Sequence, residues 1–311
     1  MIIVTGCSGF IGSNIVTKLN ELGAKDIIGV DDLSKKENLA NITHCEFEEL
    51  LDIKDFENNY LKEDQTHKHI THIFHQGACS DTMEWDAEYM IRNNYSFSQR
   101  LLELAERNSI AFIYASSASV YGDGKQFAEA RENENPINLY AFSKYLFDQL
   151  IRQKIKESKV QIVGLRYFNV YGPNEAHKDH MASVAYHLHK QLEKGDKVKL
   201  FEGSDGYEAG DQRRDFVYVD DVVKVNLWFK ENPEVSGIFN VGTGKSQTFN
   251  EVANSVINFH GKGSIQYIPF PKELVGSYQS FTEADLGKLR AAGYPDDFLA
   301  VSYTHLRAHE T

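Results

Sequence analysis

The chain has 311 residues, of which 41% are hydrophobic, and a formal net charge of −12 at pH 7. This length and composition suffice for one large α/β domain, or for a large domain with a smaller lobe. The negative charge argues against nucleic acid as a partner, because its phosphates would be repelled, but a few local cations could still bind a phosphorylated small molecule.

The cysteines and the first residues of the chain indicate the cellular compartment in which the protein works. Cys7, Cys45 and Cys79 occur without a CxxC pair, which is typical of a reducing environment. The chain opens on MIIVTG, and the sequence contains neither a signal-peptide pattern nor an apolar run of about 18 residues. We therefore expect a soluble, cytoplasmic protein without a membrane partner.

Short apolar runs alternate with amphipathic segments along the first half of the chain. IIVTG predicts a strand, and SNIVTKLNELG predicts a helix that ends at Gly23. Four later segments predict strands: DIIGVDD, HITHIFHQGA, AFIYASSASVYG and QIVGLRYFNVYGP. MIRNNYSFSQRLLELAERN and LYAFSKYLFDQLIRQKI predict helices between them. This alternation predicts an α/β fold with a Rossmann-type, doubly wound parallel sheet.

From about residue 170 the pattern loosens. It mixes helical segments with the Gly-rich FEGSDGYEAGD, the strand-like RRDFVYV and a turn at NVGTGKS. We predict a dinucleotide-binding domain over residues 1–169 and a smaller C-terminal α/β substrate lobe over residues 170–311, with segments that return to the main sheet.

The segment TGCSGFIG places Gly6, Gly9 and Gly12 between the first strand and the first helix. Such glycines permit a tight turn and let a pyrophosphate approach the helix N-terminus. Asp31 ends the second strand, about 20 residues further on, where a carboxylate can bind a ribose. A glycine turn without a ligand is the alternative, but the strand–turn–helix context favours a dinucleotide site.

Charges beside that carboxylate leave the choice of dinucleotide open. Asp31 and Asp32 would repel a 2′-phosphate, whereas Lys35 and Lys36 could neutralise it. A solvated basic turn is an equally good interpretation of the two lysines.

YAFSK places Tyr140 and Lys144 four residues apart, and therefore on one face of a helix. A free tyrosine, with a pKa of about 10, is too weakly acidic to serve as a base at neutral pH. We expect the nearby ammonium and an oxidised nicotinamide to lower it. Ser117, at the end of an earlier strand, could bind the substrate hydroxyl. A YxxxK pair also occurs on ordinary surface helices, but the glycine turn and Ser117 favour catalysis.

The segment HKDHMASV has three possible roles: a metal site, a solvated charge cluster, or a base beside the nicotinamide. His177, Asp179 and His180 are too closely adjacent to converge on one metal ion without a special loop. We therefore expect no metal here, and the base is the favoured interpretation for this segment.

Four further histidines lie close together in THKHITHIFH. Their alternation predicts exposed or edge positions for His67, His69, His72 and His75, and we assign them no metal role.

Together, TGCSGFIG, SSASVYG, YAFSK, RYFNVYGP, RDFVYVDDV and NVGTG resemble the extended short-chain dehydrogenase/reductases, over residues 1 to about 300. Members of that family act mostly on nucleotide sugars, by transient oxidation with a tightly held nicotinamide. HQGACSDTMEWD, NNYSFSQRLL, RYFNVYGPNEAHKDHMASVAYHL and FEGSDG are narrower, and resemble its ADP-L-glycero-D-manno-heptose 6-epimerases. This resemblance implies epimerisation of ADP-heptose at C6″ for lipopolysaccharide core assembly, in a homo-oligomer described as pentameric.

Other members of the family fit less well. Dehydratases carry an acidic pair where this chain has Ala118 and Ser119, and 4-epimerases of the UDP-galactose type lack a lysine after NVYGP, where this chain has Lys178. Another nucleotide-sugar epimerase or reductase remains an alternative. A non-catalytic dinucleotide sensor would be expected to have lost Tyr140 or Lys144, and both are present.

The resemblance also implies roles for particular positions. Tyr140 and Lys178 would be two acid/base groups, supported by Lys144 and Ser117. The positions implied to contact the cofactor are Gly6, Gly9, Phe10, Ile11, Gly12, Asp31, Asp32, Gln76, Gly77, Ala78, Cys79, Ser80, Asn93, Lys144, Val170 and Lys178. Those implied to contact the substrate are Ser117, Asn169, His180, His187, Phe201, Glu202, Gly203, Ser204, Arg214 and Tyr278.

Two departures from the family pattern, and one alternative interpretation, affect these expectations. NADP is the expected cofactor, with NAD as the alternative, because Asn38 occupies the place of the family's usual lysine. An ion pair with Asp215 or a neighbouring residue is the other interpretation of Arg214, which is otherwise expected to face the diphosphate. The tail VSYTHLRAHET matches nothing in the family, so we expect an incomplete or altered C-terminus over residues 301–311.

Overall fold

The structure is a computed structural model, and it describes residues 1–62, 67, 69–271 and 278–299. The strands are β1 Ile2–Thr5, β2 Ile27–Asp31, β3 Glu49–Asp52, β4 His72–His75, β5 Ala111–Ser117, β6 Ile162–Tyr167, β7 Asn169–Tyr171, β8 Lys197–Phe201, β9 Arg213–Arg214, β10 Phe216–Tyr218, β11 Gly237–Val241, β12 Gln247–Thr248 and β13 Ser264–Ile268. The α-helices are α1 Phe10–Glu21, α2 Lys36–Leu39, α3 Ile53–Tyr60, α4 Ala87–Met90, α5 Phe97–Asn108, α6 Leu139–Lys154, α7 Val184–Lys194, α8 Val219–Glu231, α9 Phe249–His260 and α10 Gly287–Ala291.

Seven strands form the central sheet, in the order β11-β6-β5-β4-β1-β2-β3. Every neighbouring pair is parallel. All seven carboxyl ends therefore lie along one edge, where parallel α/β sheets bind their ligands. The sheet reverses its direction of winding between β1 and β4, so this edge has a crevice there. The predicted α/β Rossmann-type fold is confirmed.

Alternate residues of the inner strands face two separate helical layers. Ile3, Ile73, Phe112 and Ile162 lie in a core cluster with residues of α5 and α6. Their neighbours Val4, Phe74, Ile113 and Val163 lie in a second cluster with residues of α1 and α8. Each of these buried side chains contributes about 1.5–3 kcal/mol, so the two layers fix the helices that carry the site.

The later part of the chain builds a smaller layer. Strands β8 and β13 pair in parallel, and α7 and α9 pack beside them in a third core cluster. Strand β11 and helix α8 return to the main sheet and its helical layer. We propose the boundary between the dinucleotide-binding domain and the substrate lobe at residues 169 and 170.

Three predicted elements are interrupted. The strand predicted over QIVGLRYFNVYGP divides into β6, in the main sheet, and β7, which pairs with β10 in a separate sheet. The helix predicted over residues 90–108 contains a π-helical segment, Ile91–Ser96, before α5. RRDFVYV does not form one strand: β9 pairs antiparallel with β12, whereas β10 pairs in parallel with β7. The atypical tail lies outside the described residues. No helix in the described parts of the chain has the length and apolar character needed to cross a membrane.

Candidate active site

The glycine-rich turn joins β1 to α1 by very close backbone packing. A Cβ on Gly12 would lie 2.0 Å from the carbonyl oxygen of Gly6, and one on Gly6, at φ +67°, would lie 2.6 Å from the backbone nitrogen of Gly77. Side chains are therefore excluded where this turn packs against the start of α1 and against Gly77. This bare N-terminal turn fits a dinucleotide pyrophosphate, as the sequence predicted.

Asp31, at the end of β2, is held by the same turn. Its Oδ2 accepts hydrogen bonds from the backbone nitrogen and hydroxyl of Ser8, at 2.8 and 2.7 Å. Asp32 accepts from the Ser34 hydroxyl at 2.6 Å and lies 3.9 Å from the Lys35 amine. Both carboxylates thus lie beside the crevice, where the ribose next to the pyrophosphate would be bound.

The segment Gln76–Ser80 follows β4 and forms the floor of the crevice. The Gln76 side chain accepts from the Tyr167 hydroxyl at 3.0 Å. Asn94 fixes Cys79, because its amide accepts from the Cys79 nitrogen and donates to the Cys79 oxygen, both at 2.8 Å. Asn94 also donates to the Ser143 hydroxyl at 3.0 Å, which connects this segment to α6.

Asn94 is a site residue that the sequence analysis missed. The resemblance implied the adjacent Asn93, whose side chain contacts the Tyr89 hydroxyl, and its contact with the cofactor stays a prediction. The two asparagines are adjacent, and helical periodicity cannot choose between them because the π-helical segment shifts the phase of the helix.

Tyr140 and Lys144 lie in the first turns of α6, beside the end of β5. The Asn138 side chain caps this helix by accepting from the Ala141 nitrogen at 2.8 Å. Lys144 is buried and its amine donates to the carbonyl oxygen of Ala115 at 2.8 Å. Tyr140 hydrogen-bonds Ser117, so the structure brings together three of the four predicted catalytic side chains, Tyr140, Lys144 and Ser117.

The expected lowering of the Tyr140 pKa by Lys144 is wrong for the structure as it stands. Burial raises the pKa of Tyr140, and the hydrogen bond from Ser117 is what opposes it. The Lys144 amine points to the Ala115 carbonyl instead, and burial lowers its own pKa to about 8. The four-residue spacing predicted that Tyr140 and Lys144 share a helix face, but it could not predict the direction in which the Lys144 amine points.

A buried carboxylate on α6 fixes this helix against the sheet. Asp148 accepts from the Tyr114 hydroxyl at 2.7 Å, the Ser116 hydroxyl at 2.9 Å and Arg166 Nε at 2.9 Å. It lies one helical turn after Lys144 and raises the pKa of that amine, against the effect of burial. Strand β5 and α6 are thereby held in one register, which sets the position of Tyr140 relative to Ser117.

Lys178 lies in the 3₁₀ segment Ala176–Met181, after β7. Its amine is 5.2 Å from the centre of the Phe10 ring, at the start of α1. Burial lowers the Lys178 pKa, and the negative charge of Glu175 opposes that change. The HKDHMASV segment therefore directs a partly desolvated amine toward the glycine-rich turn, as a base near the cofactor requires.

Glu175 organises the loop around Lys178. This carboxylate is buried, and it accepts from the Gly172 nitrogen at 3.0 Å and the Ser183 hydroxyl at 2.8 Å. It thus joins the two ends of the loop from residue 172 to residue 183, while its charge faces the ammonium of Lys178.

Arg214 is a buried guanidinium among aromatic rings. It is 6% exposed, and its guanidinium carbon lies 4.7 Å from the centre of the Tyr278 ring and 5.8 Å from that of Phe249. Its Nη1 donates to the Arg213 carbonyl at 3.1 Å. No carboxylate of the described residues lies within ion-pair distance of it, and burial lowers its pKa. Such a group favours an anionic ligand.

The alternative ion pair with Asp215 is wrong. The Asp215 carboxylate accepts from the Thr243 nitrogen at 2.7 Å, the Gly244 nitrogen at 2.9 Å and the Ala284 nitrogen at 3.0 Å. It therefore holds the NVGTG turn in place and forms no ion pair with Arg214.

The remaining predicted substrate residues fall into two groups. Phe201 packs on Phe270 at 5.5 Å between ring centres, and Phe270 on Tyr278 at 5.4 Å, which continues the aromatic surface around Arg214. Residues 202–204 follow Phe201 directly, and the Ser204 hydroxyl accepts from Gln212 at 3.1 Å. Asn169 and Val170 lie in β7, at the sheet edge.

The contacts of His187 and His180 lie outside the aromatic surface around Arg214. His187 packs edge-on against Tyr186 on α7, at 6.1 Å. His180 is largely exposed, and its Nε2 lies 3.8 Å from Asp81 Oδ1, across the mouth of the crevice. Their substrate contacts stay predictions.

The model of the NAD dependent epimerase/dehydratase family matches residues 2–242. The chain belongs to this family. It is 51% identical to the ADP-L-glycero-D-manno-heptose-6-epimerase of Thiobacillus denitrificans, over 96% of this chain and 94% of that protein. It is also 51% identical to the enzyme of the same name from Alkalilimnicola ehrlichii, over 94% of this chain and 91% of that protein.

Solved structures of the epimerase/dehydratase family have the same fold. The crystal structure of the Helicobacter pylori ADP-L-glycero-D-manno-heptose-6-epimerase superimposes with a TM-score of 0.81 at 30% identity, covering 99% of this chain and 94% of that one. These similarities confirm the predicted family and the predicted use of a nicotinamide cofactor. The bare glycine turn is the feature of this chain that such a cofactor fits.

The histidines of THKHITHIFH are not uniformly exposed, which corrects the sequence analysis. His75 is buried, with Nδ1 2.6 Å from the Thr5 hydroxyl and Nε2 2.7 Å from the Ser98 hydroxyl. Burial lowers its pKa to about 3, so it stays neutral. Among the described residues, no three His, Cys, Asp or Glu side chains converge as a metal site would require.

The residue after Lys178 has a strained backbone. Asp179 has φ 46° and ψ −122°, a region that a side chain disfavours and glycine adopts freely. We expect Asp179→Gly to raise the free energy of unfolding by about 1 kcal/mol and to leave Lys178 in place. Urea denaturation measures this, with Asp196→Gly as control. Asp196 has no such conformation, so glycine there should lower stability slightly. A loss of stability in Asp179→Gly would contradict the assignment of strain.

The Lys144 amine predicts a pH dependence. Lys144 places a positive charge behind Tyr140 only below its pKa of about 8. We therefore expect kcat to fall as the pH rises through about 8. Asp148→Asn removes the charge that raises this pKa, so the fall should move to lower pH. Activity measured from pH 6 to 10 checks both statements; a flat profile across that range would contradict them.

Proposed function

We propose that this chain converts ADP-D-glycero-β-D-manno-heptose into ADP-L-glycero-β-D-manno-heptose, by transient oxidation at C6″ to a ketone and re-reduction. The product would supply heptose for the lipopolysaccharide core. The observation that carries the proposal is the partly desolvated Lys178 amine, held against the glycine-rich turn, in addition to the Tyr140–Ser117 pair. The names of the Thiobacillus and Alkalilimnicola relatives support the choice of sugar.

Two acid/base groups meet a requirement of this reaction. A nicotinamide dinucleotide, when bound, accepts and returns the hydride. Inversion requires the ketone to present its other face, so the oxygen at C6″ points in a different direction before and after. Tyr140 would exchange the proton of that oxygen on one side, with Ser117 holding the hydroxyl. Lys178 would exchange it on the other.

The positions of the two groups suit this division. Tyr140 lies on α6 and hydrogen-bonds Ser117 at the end of β5, whereas Lys178 contacts Phe10, which follows β1. Strand β4 lies between β5 and β1, so these strand ends are about 10 Å apart. A space of that width admits a nicotinamide ring and a sugar carbon between the two groups.

The nucleotide half of the substrate would bind in the smaller lobe. Arg214, buried without a carboxylate partner among the described residues, would bind the diphosphate, since its guanidinium can donate two parallel hydrogen bonds. The aromatic surface of Phe201 and Tyr278 would contact the nucleotide beside it. We further propose a homo-oligomer in the cytoplasm, as the resemblance implies.

For the cofactor we propose NADP, with NAD as the alternative. Lys35 and Lys36 would face the 2′-phosphate, and Asp32 is already close to the Lys35 amine at 3.9 Å. The carboxylates of Asp31 and Asp32 are the observation that favours NAD. Identifying the dinucleotide released by heat from the purified protein decides between them. NADP, with weaker retention in Lys35→Ala/Lys36→Ala, is expected; NAD alone would contradict the proposal.

The activity is tested by incubating the holoenzyme with each ADP-heptose epimer and following the epimer ratio by NMR. We expect both epimers to reach one mixture. Lys178→Met should lower the rate at least 100-fold with the dinucleotide still bound, because its thioether cannot exchange a proton.

UDP-galactose is the control substrate. If ADP-heptose stays unchanged while UDP-galactose equilibrates, the proposal is wrong and the protein is a 4-epimerase of the UDP-galactose type. If Lys178→Met turns over like the wild type, Lys178 has no catalytic role and its loop is an ordinary solvated surface.

A further inference from the structure

Side-chain amides fasten the loop that carries Lys178 to the glycine-rich turn. Asn41 lies in the 3₁₀ turn Ala40–Ile42, far from both in sequence. Its Nδ2 lies 2.9 Å from the Ser8 carbonyl, 3.0 Å from His177 Nδ1 and 3.3 Å from the Asn174 carbonyl. One amide therefore joins the turn that would receive the pyrophosphate to the residue preceding Lys178.

The chemistry of these contacts fixes the protonation of His177. The Ser8 and Asn174 carbonyls can only accept, so the nitrogen of the Asn41 amide must face them. That nitrogen can only donate, so its hydrogen bond with His177 requires an unprotonated Nδ1. Burial lowers the His177 pKa, with the Lys178 charge acting in the same direction, which keeps the ring neutral.

Two more asparagines act on the same loop. Asn14 Nδ2 donates to the Pro173 carbonyl at 3.0 Å and to the Phe10 carbonyl at 2.9 Å. Asn174 donates to the Ser13 hydroxyl at 3.1 Å, from a backbone with φ 72° that asparagine tolerates. The three asparagines hold the loop along the first turn of α1. Of these contacts, the Asn41–His177 bond is adjacent to Lys178.

We propose that Asn41 is a positioning residue for Lys178, acting through His177. This inference rests on the proposed function, in which Lys178 exchanges a proton with the substrate. Removing the Asn41 amide frees His177 and lets the Lys178 amine move away from its position over the Phe10 ring. Misplacement of a reacting group by about 1 Å can cost up to about 100-fold in rate. Tyr140 and the pyrophosphate turn keep their other contacts, so substrate and dinucleotide still bind.

The test compares the holoenzyme with Asn41→Ala, His177→Phe and the double variant, measured by ADP-heptose epimerisation. We expect each single substitution to lower kcat about tenfold, with KM changed less than threefold and the dinucleotide retained. The double variant should be no slower than the slower single variant, because both changes break the same bond. His177→Asn retains an acceptor near the place of Nδ1 and should recover at least half of the wild-type kcat.

Asn20→Ala is the matched control. Asn20 also donates to two backbone carbonyls, of Ala24 at 2.8 Å and Glu46 at 3.0 Å, but at the far end of α1. Its kcat should stay within twofold of wild type. Wild-type kcat in Asn41→Ala, additive losses in the double variant, or an equal loss in Asn20→Ala would each overturn the inference.

The same variants also decide the outcome if Asn41→Ala does not fold, and they separate this inference from the proposed function. If Asn41→Ala does not fold, the contrast between His177→Phe and His177→Asn decides, since equal activities of those two would overturn the inference. Lys178→Met separates this inference from the proposed function: a fully active Lys178→Met defeats the function itself, whereas an inactive Lys178→Met beside an unaffected Asn41→Ala defeats the positioning role alone.

Discussion

An ammonium group withdrawn from water must be compensated by its surroundings, and the loop after β7 does this for Lys178. The Phe10 ring lies 5.2 Å from the amine, and the buried Glu175 supplies the opposite charge. The compensation is incomplete, since the Lys178 pKa is still lowered by burial. An amine in this condition gives up and takes back a proton more readily than a solvated lysine does.

The site contains a second buried lysine, and the contrast between the two explains their different roles. Lys144 is fixed by a directional hydrogen bond of 2.8 Å to a backbone carbonyl, on a helix held to β5 by Asp148. It therefore acts as a fixed charge behind Tyr140. Lys178 is held by attraction to a ring and to a carboxylate, neither of which fixes the direction of its N–H bonds. Its amine can turn toward a substrate without breaking a strong hydrogen bond.

The alternation of strands and helices and the glycine turn could be predicted from the sequence, because both depend on local periodicity and spacing. Asn94, Asp148 and Asn41 could not be, because each acts on residues far away in the chain, and nothing local marks an asparagine or aspartate that will be buried. His75 was misplaced because alternation implies an exposed face, whereas helices cover both faces of a parallel sheet. The Arg214–Asp215 ion pair could not be excluded beforehand, because the break between β9 and β10 at Asp215 depends on pairing with distant strands.

The central claim is that Tyr140 and Lys178 approach the same substrate carbon from different sides. A crystal structure of the Tyr140→Phe holoenzyme with ADP-heptose bound tests it most directly. The account predicts the C6″ oxygen beside the ring of residue 140 or within hydrogen-bond distance of the Lys178 amine, with C6″ lying between the two groups. It would be contradicted by a bound sugar whose C6″ lies beside the residue 140 ring while the Lys178 amine points into solvent.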